Sequence, residues 1–340
     1  MKKLKSASVD ITYDCNFRCL HCFNSSGEQG IKRPYLTDDE IITVVKQIAQ
    51  LEPDSICMCG GETMLRKEVI YKVLDARNNG EMKKVAINCV SNGFLINEEV
   101  AAALGERKID HVQISLDGAT RESHEWLRNM PGSYDKAINA IKLLVAQGIL
   151  VGVAFTPTKK NIHELSDAIA LADSLGVRRF RVQPTMSLGR ANKYLKDYLL
   201  DDADYMKVKF VLDQNRRKYK RADFIEWGDP IDHLHIGQYL DTIVAIGAYG
   251  DIIPSPYLPI SVGNIKKHSF PEYLEKGVLK VWQENEFLNA AALKLRDFAH
   301  MDTKEIGLPS IFTEEYITMD VCDENYKAYT KELMKKYNFD

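Results

Sequence analysis

Between residues 8 and 183, short strand-like runs, the first with Val9, Ile11 and Tyr13 alternating with Ser8, Asp10 and Thr12, take turns with longer helical stretches. Strands are expected at 8–12, 55–59, 85–90, 112–116, 151–155 and 179–183. Helices are expected between them, at 37–49, 66–78, 97–104, 134–147 and 162–175. The first helix opens on Thr37-Asp38-Asp39-Glu40, with Thr37 as N-cap and Glu40 as its reciprocal partner. The last stops at Gly176. Strands that are separated by helices cannot form hairpins, so they pair in parallel and the helices cover the sheet. Sheets of this kind carry their sites beyond the C-terminal ends of the strands.

The first such end is occupied by Cys15, Cys19 and Cys22, three of the seven cysteines in the chain. Three thiolates can hold three irons of a four-iron cluster and leave the fourth open to a small molecule. A closed electron-transfer cluster normally takes four cysteines. Two plainer readings stand beside this one. The spacing i, i+4, i+7 also describes one face of a helix, where cysteine packs as a small core residue. A zinc site would need a fourth ligand, for which His21 is the candidate. The position at a strand end favours the cluster.

Further segments follow in order: Cys59-Gly60-Gly61-Glu62, Ser91-Asn92-Gly93, Gln113-Ile114-Ser115-Leu116-Asp117-Gly118, His124, Leu127-Arg128, Pro131-Gly132-Ser133-Tyr134 and Gly189-Arg190-Ala191. With the three cysteines they resemble the radical S-adenosylmethionine (SAM) superfamily, in its SPASM or twitch branch, over about the first two thirds of the chain. The resemblance implies an α/β fold, a partial (β/α)6 barrel with a small α+β extension. It also implies one [4Fe-4S] cluster on Cys15, Cys19 and Cys22, and SAM as cofactor. In this family SAM is cleaved reductively to a 5′-deoxyadenosyl radical that abstracts a hydrogen atom from the substrate. The residues it assigns to SAM are His21 through its backbone, Gly60, Gly61, Glu62, Ser91, Asn92, Ser115, Arg128, Val182 and Gln183. Gly60 and Gly61 would let backbone approach the ligand. Glu62 would accept from the ammonium, and Arg128 would pair with the carboxylate.

The boundary is expected near residue 225, with the barrel at 1–225 and the extension at 226–340. One charged helix is expected at 201–220, helices at 270–276 and 281–295, and a last one at 324–337. The stretch 245–263 resembles the SPASM hairpin, but Ser255 stands where a cysteine is usual, and no cysteine lies near Gly237 or in 295–319. The extension therefore reads as lacking auxiliary clusters, which favours redox-neutral chemistry. Cys322 is a candidate hydrogen-atom donor, with Tyr249 and Tyr257 behind it. Cys57, Cys59 and Cys89 read as core residues. Glu226, Asp229, Asp232, His233 and His235 are acid–base candidates on a loop over the barrel mouth.

Most members of this branch act on ribosomally made peptides, so a peptide is the expected substrate, although no leader-binding domain is seen before Val9. A small metabolite such as a sugar, nucleoside or cofactor precursor is the alternative, and a non-enzymatic metal-binding protein a third reading. An external electron donor such as flavodoxin or ferredoxin is implied. The net charge of −3 gives no argument for nucleic acid, and no apolar run spans a bilayer. Reduced thiols and an exposed cluster fit a cytoplasmic location.

Overall fold

Along β1 (Ser6–Thr12), Ala7, Val9 and Ile11 are buried in the main core, while Ser6, Ser8 and Asp10 are only partly buried on the opposite face. The period of two assigns one face of the strand to the helices and the other to the barrel interior. The same phase holds in β2 (Ser55–Gly60), where Ile56 and Met58 are buried and Ser55, Cys57 and Cys59 take the interior face. Each fully buried Val, Ile or Leu on the helix face stabilises the fold by about 1.5–3 kcal/mol.

The structure is a computed structural model that describes residues 4–219, 224–228, 230–235, 243–295 and 298–339. The sheet continues through β3 (Ala86–Ser91), β4 (His111–Ser115), β5 (Leu150–Phe155), β6 (Arg179–Val182) and β7 (Ile225–Trp227), each parallel to the one before it. On the other edge, β8 (Ile243–Ile246) pairs in parallel with β1, and β9 (Ile252–Ile253) pairs antiparallel with β8. The order is therefore β7-β6-β5-β4-β3-β2-β1-β8-β9, an open sheet with the six expected strands at its centre. The sheet does not stop at the expected boundary. The hairpin of the C-terminal part is built onto the edge beside β1.

The connecting helices are α1 (Asp38–Ala49), α2 (Lys67–Asn78), α3 (Glu98–Glu106), α4 (Arg121–Arg128), α5 (Ser133–Ala146) and α6 (Leu165–Ser174), followed by α7 (Arg190–Tyr194) and α8 (Asp202–Lys218). The Thr37 cap forms as expected: Glu40 N donates to Thr37 Oγ1 at 3.2 Å, and Thr37 N donates to Glu40 Oε2 at 2.7 Å. Helix α4 was not expected from periodicity. It is only two turns long, begins at the Thr120 cap and ends at Asn129 in the left-handed conformation, φ 51°. The helix expected over 281–295 is broken at Asn285. Its carboxamide oxygen caps the second piece by accepting from Leu288 N at 2.8 Å, and its amide donates to Tyr326 Oη at 2.7 Å. No described helix is long and apolar enough to cross a membrane.

Candidate active site

The loop after β1 must turn back over the sheet, and the next two strand ends hold it there. Gly61 N donates to Thr12 O at 2.7 Å and Glu62 N donates to Asp14 O at 2.9 Å. A Cβ at Gly60 would stand 2.1 Å from Thr12 O, and one at Gly61 2.1 Å from Asp14 O. Gly60 also has φ +128°. These two glycines are needed for the close approach of β1 to β2, so their first role is internal to the protein rather than toward a ligand.

Glu62 is almost fully buried, 1% exposed, and both of its oxygens are engaged. Oε1 accepts from Ser91 Oγ at 2.7 Å and from Met64 N at 3.0 Å, and Oε2 accepts from Asn92 N at 2.8 Å. Burial pushes the Glu62 carboxyl pKa up, against these three donors. Asn92 Nδ2 reaches the cysteine loop by donating to Asn16 Oδ1 at 2.8 Å.

Behind the loop, Arg128 Nε lies 2.6 Å from Asp117 Oδ2, with both side chains buried. Burial opposes ionisation of Asp117, yet Arg128, with His21 and His124 nearby, holds its carboxyl below the usual carboxylate range. Asp117 Oδ1 also accepts from Thr156 N at 2.8 Å, and its own N donates to His124 Nδ1 at 3.1 Å. Burial lowers both His21 and His124 to about 4, so each is neutral at pH 7. The His21 ring faces Asp117, Nε2 to Oδ2 3.8 Å.

These elements enclose a cavity of about 250 Å³ at the carboxyl ends of the strands. Cys15, Cys19, Cys22, His21, Gly60, Gly61, Glu62, Ser91, Asn92, Ser115, Arg128 and Gln183 all line it. Val182 does not. It is fully buried in the core, because the strand period that turns Gln183 to the cavity turns Val182 to the helices. Cys322 is also outside the lining. It follows the short strand Ile317–Thr318 and its N donates to Asp320 Oδ1 at 3.1 Å. Tyr257 stands at the edge of the site, where its Oη accepts from Gln183 Nε2 at 3.4 Å. Tyr249 packs against Tyr13 and Tyr35 instead.

Of the acid–base candidates, Glu226 lies near Arg179 at 3.8 Å. Asp229, and the side chains of Asp232, His233 and His235, lie outside the described residues. Cys89 is a core residue as expected, but Cys57 and Cys59 are not. They are half-buried on the interior face of β2 with their sulfurs 3.3 Å apart. The burial of Ile56 and Met58 on the other face is the signal that could have placed them. The cavity also holds Phe23, Asn24, Thr156, Arg181 and Arg190, to which the sequence assigned no site role. Strand phase would have pointed to Arg181, which alternates with Phe180 and Val182.

The donor set fits a thiolate-bound iron–sulfur group. All seven cysteines are free, and only Cys15, Cys19 and Cys22 reach the cavity. Burial pushes the Cys19 thiol up to about 12, and raises Cys15 as well, so iron binding would displace protons there. Arg128 Nη1, 3.9 Å from Cys19 Sγ, offsets part of the thiolate charge. His21, the fourth ligand the zinc reading needs, turns its ring to Asp117, Nε2 to Oδ2 3.8 Å.

Residues 9–172 match the family model described as the Radical SAM superfamily. The chain is similar to an AdoMet-dependent heme synthase of Methanosarcina barkeri, 23% identical over 311 residues, covering 85% of this chain and 83% of that one. It is also similar to the sporulation killing factor maturation protein SkfB of Bacillus subtilis, 30% identical over 229 residues. That match covers 65% of this chain and 52% of SkfB, so the chain spans about half the length of that relative. In structure it resembles native anSMEcpe with bound AdoMet, with a TM-score of 0.66 at 18% identity over 98% of this chain and 97% of that one.

Proposed function

This chain belongs to the radical SAM superfamily, and we propose that it carries out a redox-neutral radical modification of a ribosomally synthesised peptide. As a radical SAM enzyme it uses a [4Fe-4S] cluster and SAM, which together supply one-electron cleavage of the cofactor and a 5′-deoxyadenosyl radical. The observation that carries the reading is the single cavity wall shared by three thiols, the Glu62–Ser91–Asn92 network and the Asp117–Arg128 pair.

In this reading Cys15, Cys19 and Cys22 hold the cluster. Glu62 and Arg128 receive the amino and carboxylate ends of SAM, each with its geometry fixed by partners already in place. Ser115 and Gln183 face the rest of the cofactor and the substrate. The peptide substrate is supported by the similarity to SkfB, a maturation protein. The redox-neutral outcome is supported by the cysteine inventory, since Cys57, Cys59, Cys89 and Cys322 offer no second set around the cavity. The electron comes from an external donor such as flavodoxin or ferredoxin.

A small-molecule substrate is favoured by a different observation: the heme synthase match runs over most of both chains, where the SkfB match covers about half of SkfB. The test is anaerobic reconstitution, reduction and incubation with SAM in deuterated water, with candidate precursor peptides and with a porphyrin precursor of heme. A peptide product of unchanged oxidation state carrying solvent deuterium supports the proposal. A peptide lighter by a pair of hydrogen atoms overturns the redox-neutral part. Turnover of the porphyrin alone overturns the peptide part.

A further inference from the structure

The tripeptide Gly189-Arg190-Ala191 has no role in the reading above, yet all three residues meet the cysteine loop. Gly189 has φ +56°, and a Cβ there would stand 2.2 Å from Phe23 O and 2.6 Å from Cys22 O. Only glycine lets the chain after β6 come this close. Arg190 N donates to Cys22 O at 3.0 Å. Its side chain continues the grip, with Nε donating to Cys19 O at 2.8 Å and Nη1 to Ser26 O at 3.1 Å. Ala191 is fully buried with Leu127 and Leu195, and Leu20 of the cysteine loop packs on the three of them.

A second arginine holds the loop from within. Arg18 Nη1 donates to Cys15 O at 2.8 Å and to Phe17 O at 2.9 Å, and its Nη2 donates to Gly27 O at 3.0 Å. One carboxylate joins the two guanidinium groups. Glu28 Oε2 accepts from Arg190 Nη1 at 2.9 Å, and Glu28 Oε1 lies 3.5 Å from Arg18 Nε. Arg190 is 95% buried, while Glu28 is half exposed. Arg190 Nη2 is buried without a hydrogen-bond partner, and the residue lines the cavity beside the thiols. A buried charge balanced only by a partly solvated carboxylate keeps a strong local field.

We propose that Gly189-Arg190-Ala191 is a clasp on the cysteine loop, with Arg190 as a positioning residue that also sets a fixed positive charge beside the cluster, moderated by Glu28. This rests on the assignment of the cluster to Cys15, Cys19 and Cys22. A positive charge at the site stabilises the reduced, more negative state and raises the reduction potential. The carbonyl grips hold the cysteine backbone at the spacing the thiols need.

The test compares Arg190→Met, Arg190→Lys and Glu28→Gln in the anaerobically reconstituted full chain. It reads iron release to a chelator and the midpoint potential. Arg190→Met should release iron about tenfold faster, as expected for the loss of a charge-assisted hydrogen bond, and its potential should fall. Arg190→Lys keeps the charge but cannot bridge the carbonyls, so it should release iron faster at a potential close to wild type. Glu28→Gln, at a half-exposed position, should fold normally and show a raised potential. An unchanged potential in Glu28→Gln overturns the charge role. Wild-type iron release in Arg190→Lys overturns the positioning role, and these two variants decide the matter even if Arg190→Met fails to fold. A wild-type chain that takes up no iron would count against the cluster assignment itself, not against the clasp.

Discussion

Asp117 and Arg128 meet 2.6 Å apart with side chains 0% and 10% exposed, so the wall of the cavity contains an ion pair almost removed from water. Removing one partner strands the other. Asp117→Ala should destabilise the protein by about 3–5 kcal/mol, the usual cost of an unpaired buried charge, measured by urea unfolding. The folded pKa of Asp117 is depressed, so its contribution is present above the ordinary carboxylate range and is lost as pH falls through the folded value. Asp117→Asn should flatten the acid limb of the stability curve below about pH 4.

Asp10 gives the opposite sign. Burial raises its pKa from 3.8 to about 7, with a hydrogen bond from Tyr13 opposing the shift. The folded state therefore holds the proton more tightly than the unfolded chain. The stability it contributes is complete below about pH 4 and is lost as pH rises through about 7. Asp10→Asn should remove that slope in unfolding measured between those limits. A slope identical to wild type would refute the assignment.

Glu62→Gln should weaken SAM binding by about 1.5–3 kcal/mol, the range for a hydrogen bond to a charged group. It also places an amide near the Asn92 or Ser91 donors. Arg128→Ala should weaken binding by a similar amount and, by exposing Asp117, lower stability as well. Equilibrium binding of SAM to the reconstituted variants is the measurement. Iron content should stay at the wild-type level in Glu62→Gln.

Cys322→Ala should give normal product at a normal rate, because Cys322 does not line the cavity. Abnormal or quenched product would restore it as a hydrogen-atom donor. Ser255 is fully buried and its Oγ accepts from Tyr257 N at 3.2 Å. Ser255→Ala should leave iron content unchanged and cost about 1 kcal/mol of stability. A fall in bound iron would make Ser255 a ligand.

What the sequence revealed follows from which signals are local. The strand around Val9 announces itself by period two, the one around Val153 by a short apolar run, and Thr37-Asp38-Asp39-Glu40 states its own helix start. The cavity residues Glu62, Ser91 and Ser115 each sit at or just beyond the end of a strand, so order along the chain placed them near one another. Their pairings were harder to read. Asp117 lies eleven residues before Arg128, but the contact depends on the short helix α4, whose two turns carry too little periodicity to stand out. Cys57 and Cys59 were misread because cysteine type outweighed strand phase. The pairing of β8 with β1 has no sequence signal at all, since it joins segments more than two hundred residues apart.

That pairing also sets an order in time. During synthesis β1 leaves the ribosome long before β8, and its outer edge stays bare until Ile243–Ile246 emerges to cover it. The strand that leads directly into Cys15 thus remains an open template for aggregation until those residues arrive. A nascent chain or truncation ending before residue 243 exposes that edge, whatever the state of the rest of the barrel.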